Sequence, residues 1–266
     1  MGNIKKNMRV LKEMFYLRFH GLVVSRLDFF APFFIDGVLF VVQLLAFKVV
    51  YSNVDKIGTW GHGEIVLYIG TFSLINAINM VVYFFGVNRI PSKIKSGELD
   101  LYLSKPVSPL FHLSFEKTSP GSLPLVAMGI CIILYGVSIL DVKPGMVQIM
   151  SYIFWILVMS VLYYDLEVII RSVPLYTVSM ARMEQIEEAG IDLCMKLPGT
   201  AFYGIYKVVF YLILPYGIMA TLPVQSVINE MDLCKGVYGI FIVIIFSCIT
   251  CATWKCGLKH YNSASS

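Results

Sequence analysis

The chain alternates long apolar runs with short polar connections. Six runs come close to the ~20 residues that a helix, rising ~1.5 Å per residue, needs to cross the ~30 Å hydrocarbon layer of a bilayer. They are residues 30–50, 65–87, 123–140, 146–164, 201–222 and 237–254. The two-residue alternation of a lipid-facing β-barrel is absent from them. The pattern therefore predicts an all-α integral membrane protein with six transmembrane helices.

Residues 1–29, before the first predicted span, indicate an amphipathic helix on the membrane surface. An apolar residue recurs every three or four positions at Met8, Leu11, Phe15, Phe19 and Leu22, which is the spacing of one helix face. Lys5, Arg9 and Lys12 run beside this stripe and could bind anionic lipid headgroups. The alternative is a plain basic segment that stops before the first span.

Composition and charge agree with a membrane protein and set its orientation. Of the residues, 58% are hydrophobic and 14% are charged, with a mean hydropathy of +0.75, whereas a soluble domain has about 25% charged residues. With both termini in the cytoplasm, only Lys48, Lys56, Lys143 and Lys235 of the 21 Lys and Arg residues face outward, as the positive-inside rule requires. The cytoplasmic set then includes Lys196. The net charge of +4 reflects this bias and does not indicate nucleic-acid binding.

Few residues in the predicted spans suit transport chemistry. The second, third and sixth spans contain no Asp, Glu, Lys or Arg, whereas an ion-coupled carrier is expected to hold several. Asp36 in the first span needs a partner or a water-lined path. Asn76 and Asn79 share one face of the second span, where they could bond across helices or touch cargo. We take these three as candidate substrate-pathway residues.

We predict no catalytic residue, metal site or cofactor on this chain. The sequence has no H-E-x-x-H, its four histidines do not cluster, and it has no G-x-x-x-x-G-K-[ST] phosphate loop. Cys248 and Cys251 form a C-x-x-C on one helix face, which we interpret as membrane packing. A chain of this kind would need a partner that supplies energy.

The connection between the second and third predicted spans, residues 88–120, is unusually polar and firm. Pro91 suits the first turn of a short helix, and Gly97 suits its end. Leucines alternate with carboxylates at Leu99, Asp100 and Leu101. The residues leave two interpretations open: a knob that docks into a groove of a soluble protein, or a solvated connector whose leucines rest on the membrane.

Two later segments are less regular. The stretch 165–199 contains ARMEQIEEAGIDL, for which we favour a solvated cytoplasmic helix over a partner contact. Pro215 and Pro223 interrupt the fifth apolar run, so part of the segment before the last span could be re-entrant.

Four passages resemble one known family. IKSGELDLYLSKPVSPLF, residues 94–111, is similar to the G-x-L-D-x-x-L-x-K-P-V-x-P-L-F pattern of six-span bacterial permease subunits in the type-2 ATP-binding-cassette (ABC) exporter family. IGTWGHGEIVLYIG, YLILPYGIMATLPVQSV and WKCGLKHYNSAS resemble other patterns of that family. The four lie in the family's order and cover nearly the whole chain.

The resemblance implies how the parts would work. Residues 30–254 would form the permease domain, residues 255–266 a cytoplasmic tail, and residues 88–120 a cytoplasmic coupling loop seated in an ATPase subunit. The contact would involve Ile94, Gly97, Glu98, Leu99, Asp100, Leu103, Lys105 and Pro106.

The resemblance also implies partners. They are a cytoplasmic ABC ATPase that holds the ATP and Mg²⁺, a second permease subunit that is identical or related, and membrane lipids. The protein would then lie in a bacterial plasma membrane and export an amphipathic drug, peptide or lipid-like substrate. The alternatives are a stand-alone secondary transporter or channel, and a non-transport membrane protein with an immunity or sensor role.

Overall fold

The computed structural model of the protein describes residues 38, 56, 58–105, 107–140, 143–176 and 181–261, with Ala181 and Arg182 as backbone only. The predicted surface helix 1–29, nearly all of the predicted first span 30–50, Asp36 and Pro106 lie outside the described residues. All the regular elements of the described part are helical.

Twelve helices form the described part. They are α1 (His62–Val82), α2 (Phe84–Val87), α3 (Ile90–Ser96), α4 (Asp100–Leu103), α5 (Pro109–Phe115), α6 (Leu123–Ser138), α7 (Met146–Arg171), α8 (Ala181–Lys196), α9 (Gly204–Val208), α10 (Tyr216–Met219), α11 (Thr221–Val227) and α12 (Leu233–His260). Short 3₁₀ turns at Pro120–Ser122, Val173–Leu175 and Gly199–Ala201 join some of them, and a π-turn at Val209–Ile213 continues α9.

Among the described residues, four helical segments are long and apolar enough to cross a membrane: His62–Val82, Pro120–Ser138, Met146–Leu175 and Leu233–His260. They correspond to the predicted second, third, fourth and sixth spans. The predicted fifth span is a bent pair, Gly204–Ile213 and Tyr216–Val227, at 77° to each other. The described part of the chain is thus all-helical, as predicted, and holds four candidate crossings, or five if the bent pair is one crossing. The six-span count and the side on which the termini lie stay predictions.

The antiparallel helices α1 and α6 pack through glycines spaced seven residues apart. Gly63 and Gly70 lie on α1, and Gly129 and Gly136 lie on α6. A Cβ on Gly136 would be 2.8 Å from the backbone nitrogen of Leu67, and one on Gly70 would be 2.9 Å from that of Ile133. Small residues let membrane helices approach this closely, so these four glycines set the distance between the two helices.

Helix α7 lies at the centre of the bundle and contacts α1, α11 and α12. The hydroxyl groups of Thr71 on α1 and Tyr152 on α7 are 2.7 Å apart, and Ser247 on α12 donates to Asp165 Oδ2 at 2.5 Å. Buried apolar side chains such as Trp155 and Met159 fill the spaces between these polar links.

The bend between Ile213 and Tyr216 has a local cause. Pro215 has no N–H, so it cannot continue the helical hydrogen bonding across this point. The helix first widens into the π-turn, and Tyr238 on α12 donates to the carbonyl oxygen of Tyr211 at 2.5 Å. The bend agrees with the expectation that Pro215 would interrupt this span, whereas Pro223 lies within α11. Whether the segment is re-entrant stays a prediction.

Helix α8 differs from the solvated helix that the sequence favoured. It packs along the bundle with Glu187, Gly190 and Cys194 buried. The hydroxyl of Tyr68, six residues into α1, contacts the carbonyl oxygens of Cys194 and Leu197. The next turn brings Thr200 against Gly58, which precedes α1. The acidic composition correctly predicted a helix. One face of this helix is nevertheless buried, because Glu187, Gly190 and Cys194 follow one another at three- and four-residue spacing.

Candidate functional site

The coupling loop, residues 88–120, is a folded helical unit. Pro91 lies in the first turn of α3, and Gly97 ends α3 with φ at 76°, in the left-handed region that favours glycine. Both features were predicted from the sequence. After Gly97 the chain makes the single turn of α4 and then, past Ser108, forms α5.

The buried face of the loop packs on the ends of two membrane helices. Apolar side chains of α2, α3 and α5 meet side chains of α7, of the turn Val173–Leu175 and of α12. This cluster contains Tyr83, Val87, Ile90, Ile94, Leu99, Leu113, Val168, Leu175 and Trp254. Tyr164 on α7 adds polar and aromatic contacts, with its hydroxyl 2.9 Å from Ser114 Oγ and its ring stacked on Phe115. The loop is therefore part of the folded protein.

An ion pair joins the start and the end of the loop. The ammonium group of Lys93 on α3 pairs with Glu116, just after α5, and also donates to the hydroxyl of Tyr102 on α4. Tyr102 in turn donates to Glu116 Oε2 at 2.6 Å. Lys93 lies 4.2 Å from the centre of the Tyr102 ring, within the range of a cation–π interaction. One lysine thus ties α3, α4 and the end of α5 together.

A second cation, Lys105, also lies close to the Tyr102 ring. Its ammonium is 4.6 Å from the centre of the Tyr102 ring and 3.4 Å from His112 Nε2. Burial, with Lys105 as a second cause, lowers the pKa of His112. Burial and the nearby Glu116 raise the pKa of Tyr102. A neutral imidazole can accept a hydrogen bond from the Lys105 ammonium.

The exposed face of the loop is a tip of leucines and charges. Leu101 is 64% exposed and Leu103 is 43% exposed. Glu98 and Lys105 flank them and are also exposed. Large apolar side chains at this level of exposure, rimmed by charge, are typical of a protein-binding surface.

The structure divides the predicted contact residues by burial. Glu98, Leu103 and Lys105 are exposed, and Gly97 and Asp100 are half-buried. Ile94 and Leu99 are buried in the cluster beneath the loop, so they support the exposed tip from below. Pro106 lies outside the described residues. Which of them meet a partner stays a prediction.

Sequence reasoning missed several residues of this site. One of them is Leu101, the most exposed leucine of the loop. The others are Lys93, Tyr102 and Glu116, whose contacts join the helices of the loop. A signal was present: Lys93 follows Ile90 by three positions, so in a short helix it shares the face of the buried isoleucines. A lysine on that face needs an acidic partner.

The predicted pathway residues lie in the bundle. Tyr163 on α7 donates to Asn76 Oδ1 at 3.0 Å, which is the bond across helices that the sequence allowed. Asn79 is 1% exposed. Whether either touches cargo stays untested. In the part of the chain that the structure describes, no group of three or more His, Cys, Asp or Glu residues is arranged to hold a metal ion.

Comparison with known proteins gives a family. A family model described as "ABC-2 family transporter protein" matches residues 38–265. The chain belongs to the ABC-2 transporter family. A search of the curated proteins and a search of the solved structures give no match.

Membership of the ABC-2 family confirms the resemblance seen in the sequence. ABC-2 permeases generally work with an ATPase subunit, and the apolar helices agree with a place in a membrane. The matched region includes α1 to α12, and with them the coupling loop.

Proposed function

We propose that this protein is the permease subunit of an ABC exporter. It has six spans with both termini in the cytoplasm of a bacterial cell, and two such subunits, identical or related, enclose the pathway. A separate cytoplasmic ATPase binds ATP and Mg²⁺ and moves the coupling loop. The exported substrate is amphipathic: a drug, a peptide or a lipid-like molecule.

The single observation that carries the proposal is the construction of the coupling loop. Its buried face is anchored on α7 and α12, and its exposed face presents Leu101 and Leu103. A surface that is firmly anchored can pass force to the membrane helices, and a leucine tip can fill a groove of the ATPase. Binding of ATP can shift the equilibrium between two conformations of the transporter only to the extent that ATP binds one conformation more tightly than the other.

Capture of the ATPase tests this coupling. The tagged protein is co-expressed with an ABC ATPase encoded beside its gene, and the amount of ATPase captured is measured. Leu101→Asp and Leu103→Asp are expected to reduce capture at least tenfold, because each places a charge in an apolar contact. Ser92→Asp, at an exposed position of α3, is the matched control and keeps capture unchanged. Equal capture by all variants would count against the coupling assignment.

Transport is tested in liposomes. The protein with its ATPase is expected to move an amphipathic dye, a hydrophobic peptide or a fluorescent phospholipid only when ATP is present. Flux by the permease alone, without ATPase, would favour a stand-alone transporter or channel instead.

A further inference from the structure

A buried polar cluster surrounds the last turns of α7, next to the apolar cluster under the coupling loop. It forms where α1, α7, α8 and α10 meet, and all of its members are buried. They are Asn79, Tyr163, Glu167, Arg171, Glu187 and Tyr216. Buried ionisable groups in a membrane protein usually have a role, because their burial is costly.

The charges of the cluster do not balance. Two carboxylates, of Glu167 and Glu187, share one guanidinium, of Arg171. Arg171 Nη1 donates to Glu187, and the Tyr216 hydroxyl donates to the other oxygen of Glu187 at 3.2 Å. Glu187 is therefore well satisfied. With both glutamates ionised, one buried negative charge is left over, which costs several kcal/mol per ion, at least, in a protein interior.

The surplus charge lies on Glu167. Its Oε2 is 3.4 Å from Arg171 Nη2, but it forms no hydrogen bond within the described part of the protein. Arg171 Nε likewise has no acceptor there. Glu167 is 1% exposed, so bulk water does not solvate this oxygen.

Asn79 on α1 is a polar but uncharged neighbour of this carboxyl group. The Asn79 side chain lies beside both Glu167 and Tyr163, and it is 1% exposed. An amide can donate a hydrogen bond to a carboxylate but carries no charge, so it does not remove the surplus negative charge. A proton on Glu167 would remove it.

We propose that Glu167 is a proton-binding site. The proton comes from solvent and forms an O–H bond on Oε2. The groups that face Glu167 are Tyr163 and Arg171 on its own helix, Tyr83 after α1, Glu187 on α8 and Tyr216 on α10. Arg171 is the single cation among them.

Protonation also bears on how α8 is held. When Glu167 carries the proton, Arg171 is free to bind Glu187 fully, and this ion pair ties α8 to α7. When Glu167 is ionised, it lies four residues before Arg171 on the same helix and competes for the guanidinium. Loss of the proton therefore weakens the contact between α7 and α8.

Infrared spectroscopy tests the proposal. The purified full-length protein, labelled with ¹³C in the glutamate carboxyl groups, is titrated in nanodiscs, and the glutamate label separates Glu167 from buried Asp165 on α7. A protonated-carboxyl band is expected at about pH 7. Glu167→Gln is expected to remove this band, and Glu188→Gln, at an exposed position of α8, to keep it. Absence of the band in the wild type, or its persistence in Glu167→Gln, would overturn the proposal.

Thermal unfolding gives a second, independent measurement. Because glutamate is ionised in the unfolded chain above about pH 5, a carboxyl that stays protonated in the fold loses stability as the pH rises. The Tm of the wild type is expected to fall between about pH 5 and pH 8, and that of Glu167→Gln to change much less. If Glu167→Gln does not fold, absence of a protonated-glutamate band in the wild type still overturns the proposal. If the Tm changes with Na⁺ concentration at fixed pH and the infrared band is absent, the site binds a metal cation instead of a proton.

Discussion

Gly86 on α2 lies against the carbonyl oxygen of Ser114 on α5, so closely that a Cβ atom would overlap it. Neither backbone can give way, because both helices pack on α7. We expect Gly86→Ala to lower the free energy of unfolding by about 1–3 kcal/mol and to reduce capture of the ATPase. Thermal unfolding measures the first effect. Gly236→Ala is the control, since its Cβ would be 3.8 Å from Trp155; an equal loss in both variants would contradict the close contact.

The neighbouring leucines of the loop should differ in their effect on stability. Leu99 is 0% exposed, so Leu99→Ala leaves a cavity and is expected to cost about 2–5 kcal/mol. Leu101 is largely exposed, and Leu101→Ala is expected to change the free energy of unfolding by less than about 0.5 kcal/mol. Chemical denaturation of the two variants provides the measurement. Equal losses would mean that Leu101 is also packed within the chain.

The pair of Lys93 and Glu116 lends itself to a double-mutant cycle. The side chains are 10% and 15% exposed, so Lys93→Met alone removes a cation that pairs with a nearly buried carboxylate and is expected to cost about 3–5 kcal/mol. Adding Glu116→Leu removes that charge and should restore part of the loss. The cycle is measured by denaturation, with an expected coupling of about 0.5–3 kcal/mol. Purely additive losses would show that the two residues act independently.

The position of α8 predicts which side of the membrane its end reaches. Leu197 and Thr200 lie beside Tyr68 and Gly58, at the beginning of α1. If α1 begins on the outer side, as the positive-inside rule predicts, we expect Lys196 to lie near that side as well, rather than with the cytoplasmic residues. In a cysteine-free background, Lys196→Cys should react with a membrane-impermeant maleimide in intact cells.

Lys95→Cys, on the exposed face of the coupling loop, is the control for this labelling. It should react only after the cells are permeabilised. If Lys196→Cys also reacts only after permeabilisation, the end of α8 lies on the cytoplasmic side. The start of α1 beside it would then not lie on the outer side.

The sequence could predict elements whose signals are local. Pro91 and Gly97 mark the two ends of α3, and Pro215 marks the bend before α10. It could not predict which leucine of the alternating series is buried, because Leu99 precedes one isolated helical turn and its burial depends on α7 and α12. Nor could it predict the partners of Glu187. Arg171 precedes it by 16 positions and Tyr216 follows it by 29, and only the tertiary fold brings them together.

The seven-residue spacing of glycines on α1 and α6 has a mechanical consequence. Backbones in direct contact leave no side-chain layer that could slide or repack, so the two helices must tilt as one rigid body. The coupling loop connects the end of α1 to the start of α6. Any force applied to the tip of the loop would therefore move both helices of this hairpin together.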